Sequence, residues 1–211
     1  MLHTDVTQIV TSEEQLRELL GQPSENVSNK TISIIDTHVK EFISLSPFLT
    51  ISTADRQGNC DCSPRGDSPG FVHVLDEKHL IIPERPGNKR ADSLRNIVQN
   101  PKVGLLFMIP SLEETLRING EACISTDENL LTPMAVQDRI PLLGIIVKVE
   151  ECFLHCAKAL KRSQLWKGDT WPVKESLPYS PKILADHIKL PGVDEESIKQ
   201  SLHESYTKRL Y

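Results

Sequence analysis

The sequence predicts a mainly β domain of the α+β class, a small antiparallel barrel of six to seven strands with helices at its edges. Three observations lead there. From Phe48 to His155 the chain is a series of β-branched or alternating apolar segments. Most are joined by short turns containing Gly, Pro, Asp or Asn. Helical periodicity is concentrated before and after this region.

The elements follow in order. "TSEEQLREL" places Thr11 three residues before Glu14, a capping-box pattern, and predicts a short helix. "GQPSENVSN" is a loop. "KTISIIDTHVKEFISLS" sets Ile32, Ile35, His38, Val39 and Phe42 on one helical face, ending near Ser46-Pro47. "FLTISTA" and "CDCSPR" read as a hairpin across "DRQGN". "FVHVLD" and "HLIIP" are further strands. "ADSLRNIVQN" is a short helix with Leu94, Ile97 and Val98 inward, stopped at Asn100-Pro101. "KVGLLFMI" is a buried strand. "ETLRINGEACIS" alternates around a glycine that marks a bulge or a close contact. "DENLL" starts a short helix, and "LLGIIVKVEECFLH" is the last strand. Residues 1–155 are thus expected to form the barrel domain with its N-terminal helices. Residues 156–211 form a helical extension packing on the barrel or on a second subunit.

Bulk properties narrow the function. A chain of 211 residues with 38% hydrophobic and 25% charged residues supports a real core. A net charge of -5 argues against nonspecific nucleic-acid binding, though not against a local basic pocket. No apolar run reaches membrane-span length, and the N-terminus has no signal-peptide layout, so the expected compartment is the cytoplasm. Five cysteines in such a chain suggest free thiols. Neither "CDC" nor "CFLHC" has the usual zinc spacing, so no metal site is expected.

Three basic elements could carry chemistry. In "PGNKRADSL", Pro86 and Gly87 shape a turn, and Asn88, Lys89 and Arg90 stand where a helix begins near Ala91. That combination suits a phosphate, because a helix N-terminus and cationic donors favour an anion. It equally suits a solvated charge cluster. In "CSPRGDSPG", Arg65 ends a strand beside a loop. In "EETLRING", Arg117 lies in an apolar strand and either pairs with Glu114 or Glu121 or faces a ligand.

In their order along the chain, these segments resemble the pyridoxamine 5'-phosphate oxidase-like, FMN-binding split-barrel family. The resemblance runs from Phe48 to Ile124 through "LTISTADRQGN", "CDCSPRG", "LIIPERPGNKRADSLRNIVQNPKVGLLF" and "ETLRINGEA". "SPRGD", "RPGN", "TLRINGEA" and "HCAKALKRSQLW" are similar to an uncharacterised bacterial flavin-nucleotide-binding subgroup. The resemblance implies an FMN site shared across a homodimer interface. Asn88, Lys89 and Arg90 would hold the phosphate. Ser63, Pro64 and Arg65 would run beside the isoalloxazine and ribityl chain, and Ile82 and Pro83 would line the flavin. Thr115 and its neighbours, including Arg117, would come from the second subunit.

Departures limit the implied activity. Ser63 stands where the oxidase carries a flavin-contacting arginine, and the oxidase's C-terminal substrate signature is absent. The segment with His155, Lys158, Arg162, Ser163 and Trp166 reads either as a lid over the flavin or as a dimer-contact helix. No general base is evident. The expected function is an FMN-dependent oxidoreductase acting on a small molecule. The alternatives are a flavin carrier or sensor, or a barrel binding haem or a deazaflavin, with His38, His73, His79 and His155 as axial-ligand candidates.

Overall fold

The computed structural model describes residues 7–211, which divide into a short unit up to Ile32 and a larger unit from Ser33 to Tyr211. The larger unit contains both the sheet and the C-terminal helices.

In the short unit, α1 (Glu13–Leu20) is capped by Ser12, whose hydroxyl accepts from the Gln15 amide at 3.3 Å. Gln15 reaches back to accept from the Thr11 amide at 2.9 Å. The reciprocal cap therefore exists one residue later than Thr11–Glu14 predicts. Helix α2 (Glu25–Asn29) falls within the segment expected to be a loop.

The larger unit opens with α3 (Thr37–Leu45), not at Thr31. Asp36 sets the boundary, because its carboxylate accepts from the Val39 amide at 2.8 Å. Ile32 and Ile35 consequently precede the helix, and Ile35 donates its amide to Glu77 O at 2.8 Å. Val39, Phe42 and Ile43 form the buried face. After α3, the buried Ser46 hydroxyl lies 2.8 Å from the carbonyls of both Phe48 and Met108, which fixes where the chain enters the sheet.

The seven strands are β1 (Phe48–Ala54), β2 (Cys60–Gly66), β3 (His73–Val74), β4 (His79–Pro83), β5 (Lys102–Met108), β6 (Thr115–Ser125) and β7 (Gly144–His155). They pair in the order β2-β1-β5-β6-β7-β4-β3, all antiparallel. "FVHVLD" contributes only two strand residues, while Phe71 and Val72 are buried just before it. Alternate residues face one core. Leu49 and Ile51, Leu105 and Phe107, Leu116 and Ile118, and Ile145 and Val147 all lie in it. A sheet in which β1, β4, β5, β6 and β7 all contribute to one cluster has curled around that cluster.

Helix α4 (Asp92–Gln99) lies against β1 and β2. Its buried residues are Ser93 and Ile97, and Val98 is 74% exposed instead of inward. The face is rotated because Ser93 donates to the Asp61 carboxylate of β2 at 2.5 Å and Asn96 to the Thr53 hydroxyl at 3.0 Å. Further helices are α5 (Glu128–Leu131), α6 (Lys158–Ser163), α7 (Ser180–Ile188) and α8 (Glu195–Lys208). Among the described residues no helix is long and apolar enough to cross a membrane.

The β6 glycine does mark a bulge, as the register against β7 shifts between Asn119 and Gly120. A Cβ at Gly120 would overlap the Lys148 carbonyl oxygen. Gly120→Ala should destabilise the fold by roughly 3 kcal/mol, the upper end of overpacking costs, in urea unfolding. A change within experimental error would mean that the bulge relaxes freely.

Candidate functional site

Strand β2 is one edge of the sheet, and β4 lies near the other. Curling brings the two together, and two ion pairs span the join. Arg85 Nε donates to Asp67 Oδ2 at 2.7 Å, with the Asp67 side chain only 2% exposed. Arg65 Nη2 stands 3.4 Å from Glu84 Oε2. A second Arg85 donor reaches Met134 O at 3.0 Å.

Beside this join lies a cavity of ≈ 780 Å³, within the range of cofactor sites. One wall is the end of β2, Ser63–Gly66. Another is the β4–α4 loop, from Pro83 through Arg90 to the start of α4. A third is residues 139–143, and Tyr211 closes a side. Ser63 and Ser93 both donate to Asp61 Oδ2, at 2.9 and 2.5 Å, so one carboxylate ties the β2 wall to the α4 wall.

Arg65, Arg85, Lys89, Arg90 and Arg139 line the cavity against two carboxylates, Glu84 and Asp92. The cavity is therefore cationic on a chain whose net charge is -5. Lys89 and Ala91 flank Arg90 with positive φ, 63° and 56°. Such a backbone disfavours side chains with a Cβ and clusters at functional sites. Asn88 Oδ1 accepts from the Arg90 amide at 3.0 Å, which shapes the turn. Arg90 Nε pairs with Asp92 at 2.9 Å while its side chain stays 74% exposed.

The Arg65–Glu84 pair is incompletely satisfied. Arg65 Nε and Glu84 Oε2 are buried without a hydrogen-bond partner, since their ion pair is not aligned as one. Burial pushes the Glu84 carboxyl above the ordinary carboxylate value, and the Arg65 charge only partly opposes it. Asp67 goes the other way. Burial would raise it, but the Ser68 amide, the Tyr211 hydroxyl and Arg85 together hold it below the usual value.

Of the residues singled out from sequence, Ser63, Pro64, Arg65, Pro83, Asn88, Lys89 and Arg90 all border this cavity. Ile82 does not. It is 0% exposed and lies in the main core, because strand alternation turns Ile81 the other way, onto Leu131 and Met134. Thr115 is buried opposite His155, away from the cavity of its own chain. Arg117 stands over the Phe153 ring, 5.9 Å from its centroid, while Glu121 pairs with Lys102 instead.

Lys158, Arg162, Ser163 and Trp166 also lie away from this cavity. Trp166 Nε1 donates to Leu112 O at 2.8 Å, and Lys161 pairs with Glu113, so α6 is tied to the β5–β6 loop. His155 ends β7 and does not share a helical face with Arg162. None of His38, His73, His79 and His155 lines the cavity. Among the described residues no group of three or more side chains could hold a metal. Glu84, Arg85, Asp67, Arg139 and Tyr211 were not foreseen. Only "ERPGN" carried a local sign of the first two, and Tyr211 meets Asp67 across 144 residues of chain.

Residues 35–156, more than half of the chain, match the family profile described as pyridoxamine 5'-phosphate oxidase. The chain belongs to the pyridoxamine 5'-phosphate oxidase family. Its seven-stranded antiparallel sheet with flanking helices is the split barrel of this family. The match begins just before α3, ends at Cys156 and leaves the last helices outside. No curated protein sequence matches significantly. Several solved structures are similar. HupZ of Group A Streptococcus shares 22% identity at a TM-score of 0.48, over 57% of this chain and 93% of that one. A putative pyridoxamine 5'-phosphate oxidase of Lactobacillus delbrueckii shares 21% at 0.45, over 58% and 95%. An FMN-binding protein of Syntrophomonas wolfei shares 12% at 0.43, over 56% and 81%. These likenesses are too distant to bear on ligand or activity.

The raised Glu84 pKa has a definite sign. A carboxyl raised in the folded state contributes stability below its ordinary value, 4.5, and loses it as pH rises through the folded value. Glu84→Gln cannot ionise. Its stability relative to wild type should therefore increase between about pH 4 and about pH 7, read from urea unfolding at both. A constant difference would mean that Arg65 fully offsets the cost of burial.

Proposed function

We propose that the protein binds FMN in this cavity and works as a flavin-dependent oxidoreductase on a small molecule. The observation that carries the reading is the cationic cavity on an acidic chain, walled by the same Asn88–Arg90 turn and Ser63–Arg65 strand end. Family membership supports it.

The residues fit the group. A flavin phosphate needs cations and amide donors at one end, and Lys89, Arg90 and the first turn of α4 supply them. Asp92 holds Arg90 in place, and it also lowers the net positive charge there. The flavin's ring system needs apolar and flat surfaces, which Pro64, Phe71, Pro83 and the 140–143 segment supply. Arg65 lines the cavity and brings a cationic guanidinium to its wall.

FMN, when bound, supplies hydride or single-electron exchange. This chain's own residues bind, orient and exclude water. Lys89 and Arg90 anchor the anionic end. Ser63, held by Asp61, keeps the β2 wall in register with α4. Glu84 holds its proton more tightly than an exposed carboxylate and can pass one at the cavity wall. Because the histidine candidates stand elsewhere, the cavity favours a phosphate-bearing ligand over haem. The five free cysteines are in keeping with a reducing compartment such as the cytoplasm.

We further propose a homodimer in which Thr115, Arg117 and the α6–Trp166 segment face the partner's flavin. Their position away from the cavity of their own chain is what such sharing requires. Sedimentation of the flavin-loaded protein should give a dimer. A monomer with full flavin occupancy would sink the shared site.

The anchor is tested by titrating purified protein with FMN and following flavin absorbance and fluorescence. Replacing Lys89 and Arg90 together with Ala should weaken FMN binding by roughly tenfold or more, as expected for lost charge-assisted hydrogen bonds. Riboflavin, which lacks the phosphate, should bind both proteins alike. Equal FMN affinity in the two would refute the phosphate assignment. Turnover is a separate question, answered by NAD(P)H-dependent reduction of the bound flavin.

A further inference from the structure

We propose that Tyr211 is a latch, holding the C-terminal arm against the cavity and slowing the exit of its ligand. The proposal rests on the FMN reading for the identity of that ligand. The seating itself is independent of it.

Three contacts secure Tyr211. Its hydroxyl donates to Asp67 Oδ1 at 2.8 Å. Its carbonyl accepts from Arg139 Nη1. The Arg85 guanidinium stands 5.8 Å from its ring centroid, within cation–π range. The receptor is already built, because Asp67 and Arg85 are the pair that joins the sheet edges, and both are largely buried. The phenol adds one more donor to a buried carboxylate that accepts from Arg85 and from the Ser68 amide. This makes Tyr211 a specific partner of the join.

Beyond α6, which is tied to the β5–β6 loop, the arm has little else to hold it. Helix α8 buries no residue, and α7 buries only Pro181. Residues after Cys156 also lie outside the family match. Tyr211, in contrast, lines the cavity with Arg85 and Arg139. Arg85 lies three residues before Asn88, so latch and phosphate turn share one loop. Seating the arm and ordering that turn are mechanically coupled. The hydrogen bond to Asp67 also raises the phenol's pKa, with burial and the Asp67 charge adding to it and Arg85 opposing.

The test compares wild type, Tyr211→Phe and Tyr211→Ala in stopped-flow release of FMN into excess competitor. Tyr211→Ala should release FMN roughly tenfold faster, about the effect of one hydrogen bond to a charged group. Tyr211→Phe, which keeps the ring over Arg85, should fall between. Identical release rates in all three overturn the latch. A second measurement uses ligand-free protein labelled with 3-fluorotyrosine, with the Tyr211 fluorine resonance assigned by its loss in Tyr211→Phe. That resonance should titrate above free 3-fluorotyrosine, and ordinary titration overturns the latch. If wild type takes up no FMN, the flavin reading fails, and the fluorine titration alone decides whether the arm is seated.

Discussion

The Arg85–Asp67 pair is the interaction on which the site depends. An antiparallel sheet that curls around one core still has two free edges, and something other than strand pairing must hold them together. Here a buried carboxylate and a mostly buried guanidinium meet at 2.7 Å across the gap. A pair in this position is costly to break, because removing one partner leaves the other charge buried and uncompensated.

From that join the rest of the cavity follows. The loop after Arg85 must travel from β4 to α4, and α4 is held to β2 through Ser93 and Asp61. The path leaves space between the β2 end and the loop. The charged side chains lining it are mostly cations, so the space acquires positive potential although the chain as a whole is acidic. Two carboxylates stand among them: Asp92, paired with Arg90, and Glu84, whose burial favours its neutral form. Asp67 and Glu84 thus behave oppositely. Asp67 has donors on every side and stays ionised, whereas Glu84 faces one poorly aligned arginine. At Glu84 burial dominates, whereas at Asp67 the hydrogen bonds and Arg85 together outweigh it.

The C-terminal arm belongs to the same logic. Helices α7 and α8 are amphipathic but bury almost nothing, and beyond them Tyr211 meets Asp67 and Arg85. Asp67 and Arg85, with Arg139, receive Tyr211, and they come together only once the sheet has curled. The apolar core closes the barrel, and the pair that closure creates then serves both the cavity wall and the Tyr211 contact.

Much of this was written locally in the chain. Alternation and turn residues determined the strands, the proline after Ser46 ended α3, and the Gly120 bulge was legible because a glycine interrupted an alternating strand. The Asn88–Arg90 turn and the Ser63–Arg65 strand end were visible as residue types. Periods and caps fail where competing side chains decide, as when Asp36 claimed the α3 start and Ser93 rotated α4. Which residues face the cavity was decided by tertiary structure. Ile82 reads like a lining residue, yet the pleat of β4 turns it into the core. Asp67, Arg85, Arg139 and Tyr211 become a unit only because curling brings together segments up to 144 residues apart, and no local pattern encodes a contact made by closure.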